Sequence, residues 1–177
     1  MKKSRIISKE YSSEGATEIL DLADVKEHLY IDSGNTDFDS RLTKFITETR
    51  QYIEEITGLS LIDRTVTVVI SYESSFGFPF GPLVSFDSAS RPTGINEYEV
   101  LVNNDDYEIE FGKFTWYSGF NNIKLIYDAG YTEDTLPAGL KMAWLNEIAR
   151  RFENRGDSDV PDPNGLLNSY KDLEWLI

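Results

Sequence analysis

Residues 38–72 read FDSRLTKFITETRQYIEEITGLSLIDRTVTVVISY, and within them the hydrophobic period changes from helical to two. In the first part Phe38, Leu42, Phe45, Ile46, Thr49, Tyr52, Ile53 and Ile56 fall three and four residues apart, on one helical stripe. Asn35, Thr36 and Asp37 offer caps ahead of it, and Gly58 stands where a left-handed residue closes a helix. The spacing predicts a helix over about 37–57. From about residue 60 the pattern alternates, with Val66, Val68, Ile70 and Tyr72 against Thr65, Thr67 and Ser71, as in a half-buried antiparallel strand.

The same alternation recurs downstream in Tyr98, Val100 and Val102, in Tyr107, Ile109 and Phe111 against Glu108 and Glu110, and in Ile123, Leu125 and Tyr127. Turn-rich stretches at Gly77 to Pro82, Arg91 to Asn96 and Asn103 to Asp106 separate these runs, so five or six strands are expected. Pro137 then opens a second strong helix in the first turn. Its buried face is Leu140, Ala143, Trp144, Ile148, Ala149 and Phe152, and it ends near Asn154 to Gly156. Upstream, Asp21 and Asp24 form a short-acid version of a capping box before Leu22, Val25 and Leu29, which gives a first helix over about 22–30.

The expected fold class is therefore α+β: a small helical bundle core with an inserted antiparallel β-rich region and extended terminal segments. The helical core comprises residues 21–59 and 136–156, and the β-rich insertion spans 60–135. Residues 1–20, charged and Ser-rich, form an N-terminal arm, and 157–177 form a C-terminal docking tail. Asp157 to Gly165, with Pro161 and Pro163, reads as an extended connector. Beyond it Leu166, Leu167, Tyr170, Leu173, Trp175, Leu176 and Ile177 are too apolar for an idle tail, and docking on this subunit or a neighbour is expected of them.

Composition narrows the function classes. With 177 residues, 40% hydrophobic and 13% aromatic, the chain has material for a real core. Cysteine is absent, which excludes disulfides, thiolate metal sites and a Cys nucleophile. No apolar run approaches the roughly 20 residues that span a bilayer, and the polar stretch Ser8 to Thr17 predicts no signal peptide and no membrane partner. The net charge is −14. Residues 60–135 hold twelve acidic and four basic side chains, a net of −8, whereas residues 136–155 carry a net of +2. Such acidity repels phosphate backbones, so specific DNA binding is not expected, although an acidic passage lets DNA move without sticking.

A search for catalytic sets finds none. His28 is the single histidine and has no Ser or Cys partner in a recognisable motif. Asp32, Asn35, Asp37 and Asp39 fail the calcium-loop pattern, because the sixth position is Asp37 and the twelfth Thr43, so helix capping accounts for them. Asp105, Asp106, Glu108 and Glu110 read as a solvated face, with acid-dependent hydrolysis through Asp106 and Glu108 the distant enzymatic alternative. No phosphate-binding glycine loop, nucleophile elbow or zinc helix occurs, and no metal or cofactor is expected. The basic group Lys141, Arg150, Arg151 and Arg155 is either a solvated helix face or a subunit interface that meets acidic surface on a neighbour.

Two sets of residues carry a family resemblance. Val25-Lys26, His28-Leu29, Ile31-Asp32, Arg50, Tyr52-Ile53-Glu54 and Thr57-Gly58 form the first. Tyr127-Asp128-Ala129-Gly130-Tyr131, Leu136-Pro137, Ala143 and Phe152-Glu153-Asn154-Arg155 form the second. In order and spacing they resemble the two halves of the tailed-phage head–tail connector family, also called head-completion or adaptor proteins, over about residues 20–156. Tyr30 stands where that family tends to carry a basic residue, and Phe152 where Tyr or Trp is common. The resemblance implies a non-enzymatic structural virion protein, assembled in the host cytoplasm and placed at the head–tail interface. Its subunits would form a ring of about twelve under the portal protein, joining capsid to tail proteins and retaining packaged DNA that passes through the channel unbound. Another tail-completion or protein-interaction module without enzymatic activity is the alternative.

Overall fold

The computed structural model describes residues 5–12, 17–71, 75–95, 97–117, 122–154 and 167–170. They divide into a β unit, made of residues 5–12 and Asp63–Gly130, and a helical unit, made of Thr17–Ile62 with the described part of Tyr131–Lys171. The class is α+β with antiparallel sheets, as the change of period predicted.

Among the described residues the β unit contains eight strands: β1 (Arg5–Tyr11), β2 (Arg64–Ser71), β3 (Ser75–Gly77), β4 (Leu83–Gly94), β5 (Glu97–Val100), β6 (Tyr107–Glu110), β7 (Lys113–Trp116) and β8 (Asn122–Ala129). Five form one sheet in the order β1-β2-β8-β4-β5, and three form another in the order β3-β7-β6. The register of β2 on β8 sets Val66 opposite Tyr127, Val68 opposite Leu125 and Ile70 opposite Ile123, and all six side chains are buried. They meet Phe76, Phe114, Tyr107 and Trp116 from the smaller sheet in one core. Phe114 lies at its centre, stacked on Tyr107 at 4.8 Å and on Phe76 at 5.5 Å between ring centroids. Phe78, edge-on to both Phe114 and Tyr127, links the aromatic cluster to the larger sheet.

The strand count exceeds the expected five or six because β1, β3 and β7 are defined by backbone pairing rather than by alternation. Within the N-terminal arm, β1 pairs with β2, setting Ile6 beside Ile70 and Tyr11 beside Val66. The stretch from Arg91, expected as a turn, continues β4 as far as Gly94. Pro92 is tolerated there because pairing of β4 with β8 has already ended at Ser90, so the missing N–H leaves no ladder bond unmade. A further correction concerns Phe111. It does not extend the buried face of β6 but occupies the β6–β7 turn in the left-handed region at φ 51°, followed by Gly112 at φ 74°.

The helical unit holds α1 (Leu22–His28), α2 (Asp39–Thr57), α3 (Ala138–Glu153) and a 3₁₀ turn at Leu167–Tyr170. Asp21 caps α1 by accepting from the Asp24 amide at 2.7 Å. Among the described residues no side chain caps α2, whose N-cap is Phe38. The polar residues expected to cap it form tight turns in the preceding loop instead: Asp32 Oδ1 accepts from the Gly34 amide, and Asn35 Oδ1 from the Asp37 amide. Gly58 ends α2 at φ 76° as the sequence predicted, donating to the Glu54 carbonyl. Pro137 is the N-cap of α3, one residue outside the first turn. The shared core comprises Leu42, Ile46 and Ile53 from α2, Leu140, Trp144 and Ile148 from α3, and Leu20, Val25, Leu61 and Leu167 from around them. Trp144 is wholly buried and donates its indole N–H to the Ile46 carbonyl at 3.2 Å, which fixes α3 against α2.

A polar knot ties the ends of this unit together. Arg50, only 8% exposed, contacts Glu18 through Nε at 2.9 Å and Glu54 through an Nη at 2.9 Å. Thr47 also donates to Glu18, and the other Glu54 oxygen accepts from the Leu61 amide at 2.9 Å. Removing one partner of such a network strands buried charge. Arg50→Ala is therefore expected to lower stability by about 3 kcal/mol, while Lys44→Ala on the exposed side of α2 shifts it by less than about 0.5 kcal/mol. Urea unfolding of both variants checks the difference.

Candidate functional site

Among the described residues no three His, Asp or Glu side chains converge as a metal-binding group. His28 lies at the end of α1, half-buried. The acidic cluster after β5 is engaged in local structure: Asp106 accepts from the Val102 amide at 2.9 Å and Glu108 from the Tyr117 hydroxyl at 2.7 Å. Asp128, on the outer side of the larger sheet, accepts from Thr65 on β2 and Ser85 on β4, both at 2.7 Å. These two hydrogen bonds hold its carboxyl below the ordinary carboxylate value. No helix among the described residues is long and apolar enough to cross a membrane.

The basic group on α3 is placed by helical spacing around Glu147, whose side chain is fully buried. Arg150 approaches it through Nε at 2.7 Å and an Nη at 2.5 Å, and Arg151 through Nε at 2.9 Å. Arg151 also covers the ring of Tyr52 on α2 at 5.1 Å. Lys141 pairs with Asp24 of α1 at 3.1 Å. Three of the four cations singled out in the sequence thus brace the helical unit while keeping part of each side chain in solvent; Arg155 lies outside the described residues. Of the apolar tail, Leu167 is buried in the helical core and Tyr170 packs against it, while Leu166, Leu173, Trp175 and Leu176 lie outside the described residues.

Two kinds of feature escaped the sequence: apolar side chains exposed at turns, and a groove. Phe111 is 98% exposed at the tip of the β6–β7 hairpin, and Ile95 is 94% exposed at the turn between β4 and β5. The signal for Phe111 was the Phe-Gly pair between two alternating runs, a two-residue turn that alternation alone absorbed into the strand. The second feature is an open groove of about 400 Å³ at the start of α2, lined by Asp37, Phe38, Ser40, Arg41 and Lys44. Phe38 forms its half-buried apolar wall and meets Phe152 of α3 edge-on at 5.3 Å. Arg41 and Lys44 are exposed and form no ion pair among the described residues.

Glu147 gives the unit a defined response to acid. Burial pushes its carboxyl up, but the hydrogen bonds and charges of Arg150 and Arg151 outweigh burial and leave it below its ordinary value of 4.5. A depressed folded-state value means that the stabilisation is complete above the unfolded value and is lost as pH falls through the folded one. Glu147→Gln is expected to unfold at lower urea than the parent at pH 7, and the gap to narrow as the pH drops below about 4.5. Urea titrations at pH 7, 5 and 3.5 measure that gap.

No protein-family model and no curated protein matches the sequence. Solved structures do. A chain from the neck of an empty gene transfer agent particle, computed with C6 symmetry, superposes with a TM-score of 0.74 at 15% identity, covering 93% of this chain and 95% of that one. A chain from the virion of the native gene transfer agent particle gives 0.66 at 16% identity, covering 95% and 94%. A chain from the neck of the native particle, computed with C12 symmetry, gives 0.62 at 15% identity, covering 88% and 94%. The chain thus shares the fold of chains found in the neck and virion of gene transfer agent particles.

Proposed function

We propose that this chain is a structural subunit of a phage-type neck: a head–tail connector that assembles as a ring under the portal, joins the capsid to the tail and helps retain packaged DNA without catalysing a reaction. The observation that carries this reading is the near end-to-end fold match, in both directions, with a neck chain at a TM-score of 0.74. The six-fold and twelve-fold symmetries of the matched neck structures support a ring, with about twelve subunits the expected number. A net charge of −14 supports a channel past which DNA slides without specific binding.

In this reading the solvent-facing parts of Lys141, Arg150 and Arg151, with Arg155, pair laterally with acidic surface on an adjacent subunit. The apolar residues Leu166, Leu173, Trp175 and Leu176 dock onto portal or tail proteins, while Leu167 and Tyr170 anchor the base of that segment to its own subunit.

Cryo-electron microscopy of the virion tests the proposal: the expected result is a ring of this chain between portal and tail. A strict monomer in the presence of its portal, with no place in the particle, overturns it. Truncation after Tyr170 is expected to leave the thermal unfolding transition within a few degrees of the parent's, since the buried contact of Leu167 is kept, and to reduce attachment of tails to filled heads. Counting tailed and tailless particles by negative-stain microscopy reads the effect.

A further inference from the structure

The tip of the β6–β7 hairpin is built at a local cost that its own subunit does not recover. A bulky side chain in the left-handed region costs roughly 1 kcal/mol, and Asn or Gly fits that turn position better. Phe111 occupies it at φ 51° and buries almost nothing in return, being 98% exposed. Around it the hairpin is acidic: Asp105, Asp106, Glu108 and Glu110 outnumber Lys113. The groove at the start of α2 has the opposite character. Its apolar wall is Phe38, and Arg41 and Lys44 outnumber Asp37.

We propose that in the assembled ring Phe111 of one subunit inserts into the α2 groove of the next copy of this chain. The inference rests on the ring reading above and names one of its contacts. The Phe111 ring extends the Phe38–Phe152 aromatic pair, while Glu110 and Glu108 meet Arg41 and Lys44. Knob and groove are different patches of the same chain, so each subunit offers its hairpin to one neighbour and its groove to the other. That is the head-to-tail contact from which rings close.

The absence of cysteine makes a direct test available, since every introduced thiol is unique. Full-length Glu110→Cys and Ser40→Cys chains are mixed at high concentration and mildly oxidised, and the linked peptides are mapped by mass spectrometry. A disulfide requires the two Cα atoms within about 7 Å. The expected result is a 110–40 link between chains, and no link when Ser40→Cys is replaced by Glu55→Cys on an exposed part of α2. Adding Phe111→Asn to the hairpin is expected to leave thermal stability unchanged or raised, and to cut the yield of that link by about tenfold. No 110–40 link, or a yield indifferent to Phe111→Asn, overturns the hairpin contact. A ring seen in the virion without the link discards this contact alone, whereas absence of the chain from the virion discards the ring.

Discussion

Arg50 holds together what the chain order separates. The polypeptide passes from the β unit into the helical unit just before Thr17 and returns just after Ile62. Glu18 lies beside the first passage and Leu61 beside the second, and both are tied to Arg50, the first directly and the second through Glu54. On the β side the same excursion is closed by β1 on β2, where the Ser12 amide donates to the Thr65 carbonyl. Within the helical unit the segment from 17 to 62 is thus closed on itself by charge near both of its ends. Exposed ion pairs contribute little to stability, but a buried guanidinium shared by two carboxylates is costly to leave unpaired, and this makes the knot a constraint on the geometry of α2.

The two units rely on different chemistry. The β unit is filled by rings, with Phe76, Phe78, Phe114, Tyr107 and Tyr127 in mutual contact. The helical unit is filled mainly by aliphatic side chains around Trp144, and its charged groups are spent on bracing: Arg50 on two glutamates, Glu147 on two arginines, Lys26 on Asp39. This is why the basic group of α3 looks different in space than in sequence. Charge counting marked Arg150 and Arg151 as a patch, whereas helical spacing of three and four residues brings both onto one buried carboxylate.

What the sequence made legible follows from the strength of its periods. Helices α2 and α3 and strands β2 and β8 carry long, unbroken patterns, and each forms near the predicted place. Three- and four-residue strands such as β3 and β7 have too little length for a pattern, and β1 is recruited by a partner more than fifty positions away. The caps of α2 were misplaced because Asp and Asn serve loop turns as readily as helix ends. Phe111 was misread because a turn residue can keep the alternation of the strand before it. The absence of any familiar catalytic motif was plain from residue types, but the groove at α2 depends on which faces stay uncovered, and that is settled only by packing.

The strand order carries a consequence for synthesis. The middle of the larger sheet, β8, is the last of its five strands to be made, and both β2 and β4 wait for it. Until residue 129 has left the ribosome, the backbone edges of β2 and β4 that face β8 have no partner, and α3, which completes the other core, comes later still. Non-local pairing of this kind delays closure of the sheet until its last strand is available. Until then each growing chain carries open strand edges that another copy can pair with.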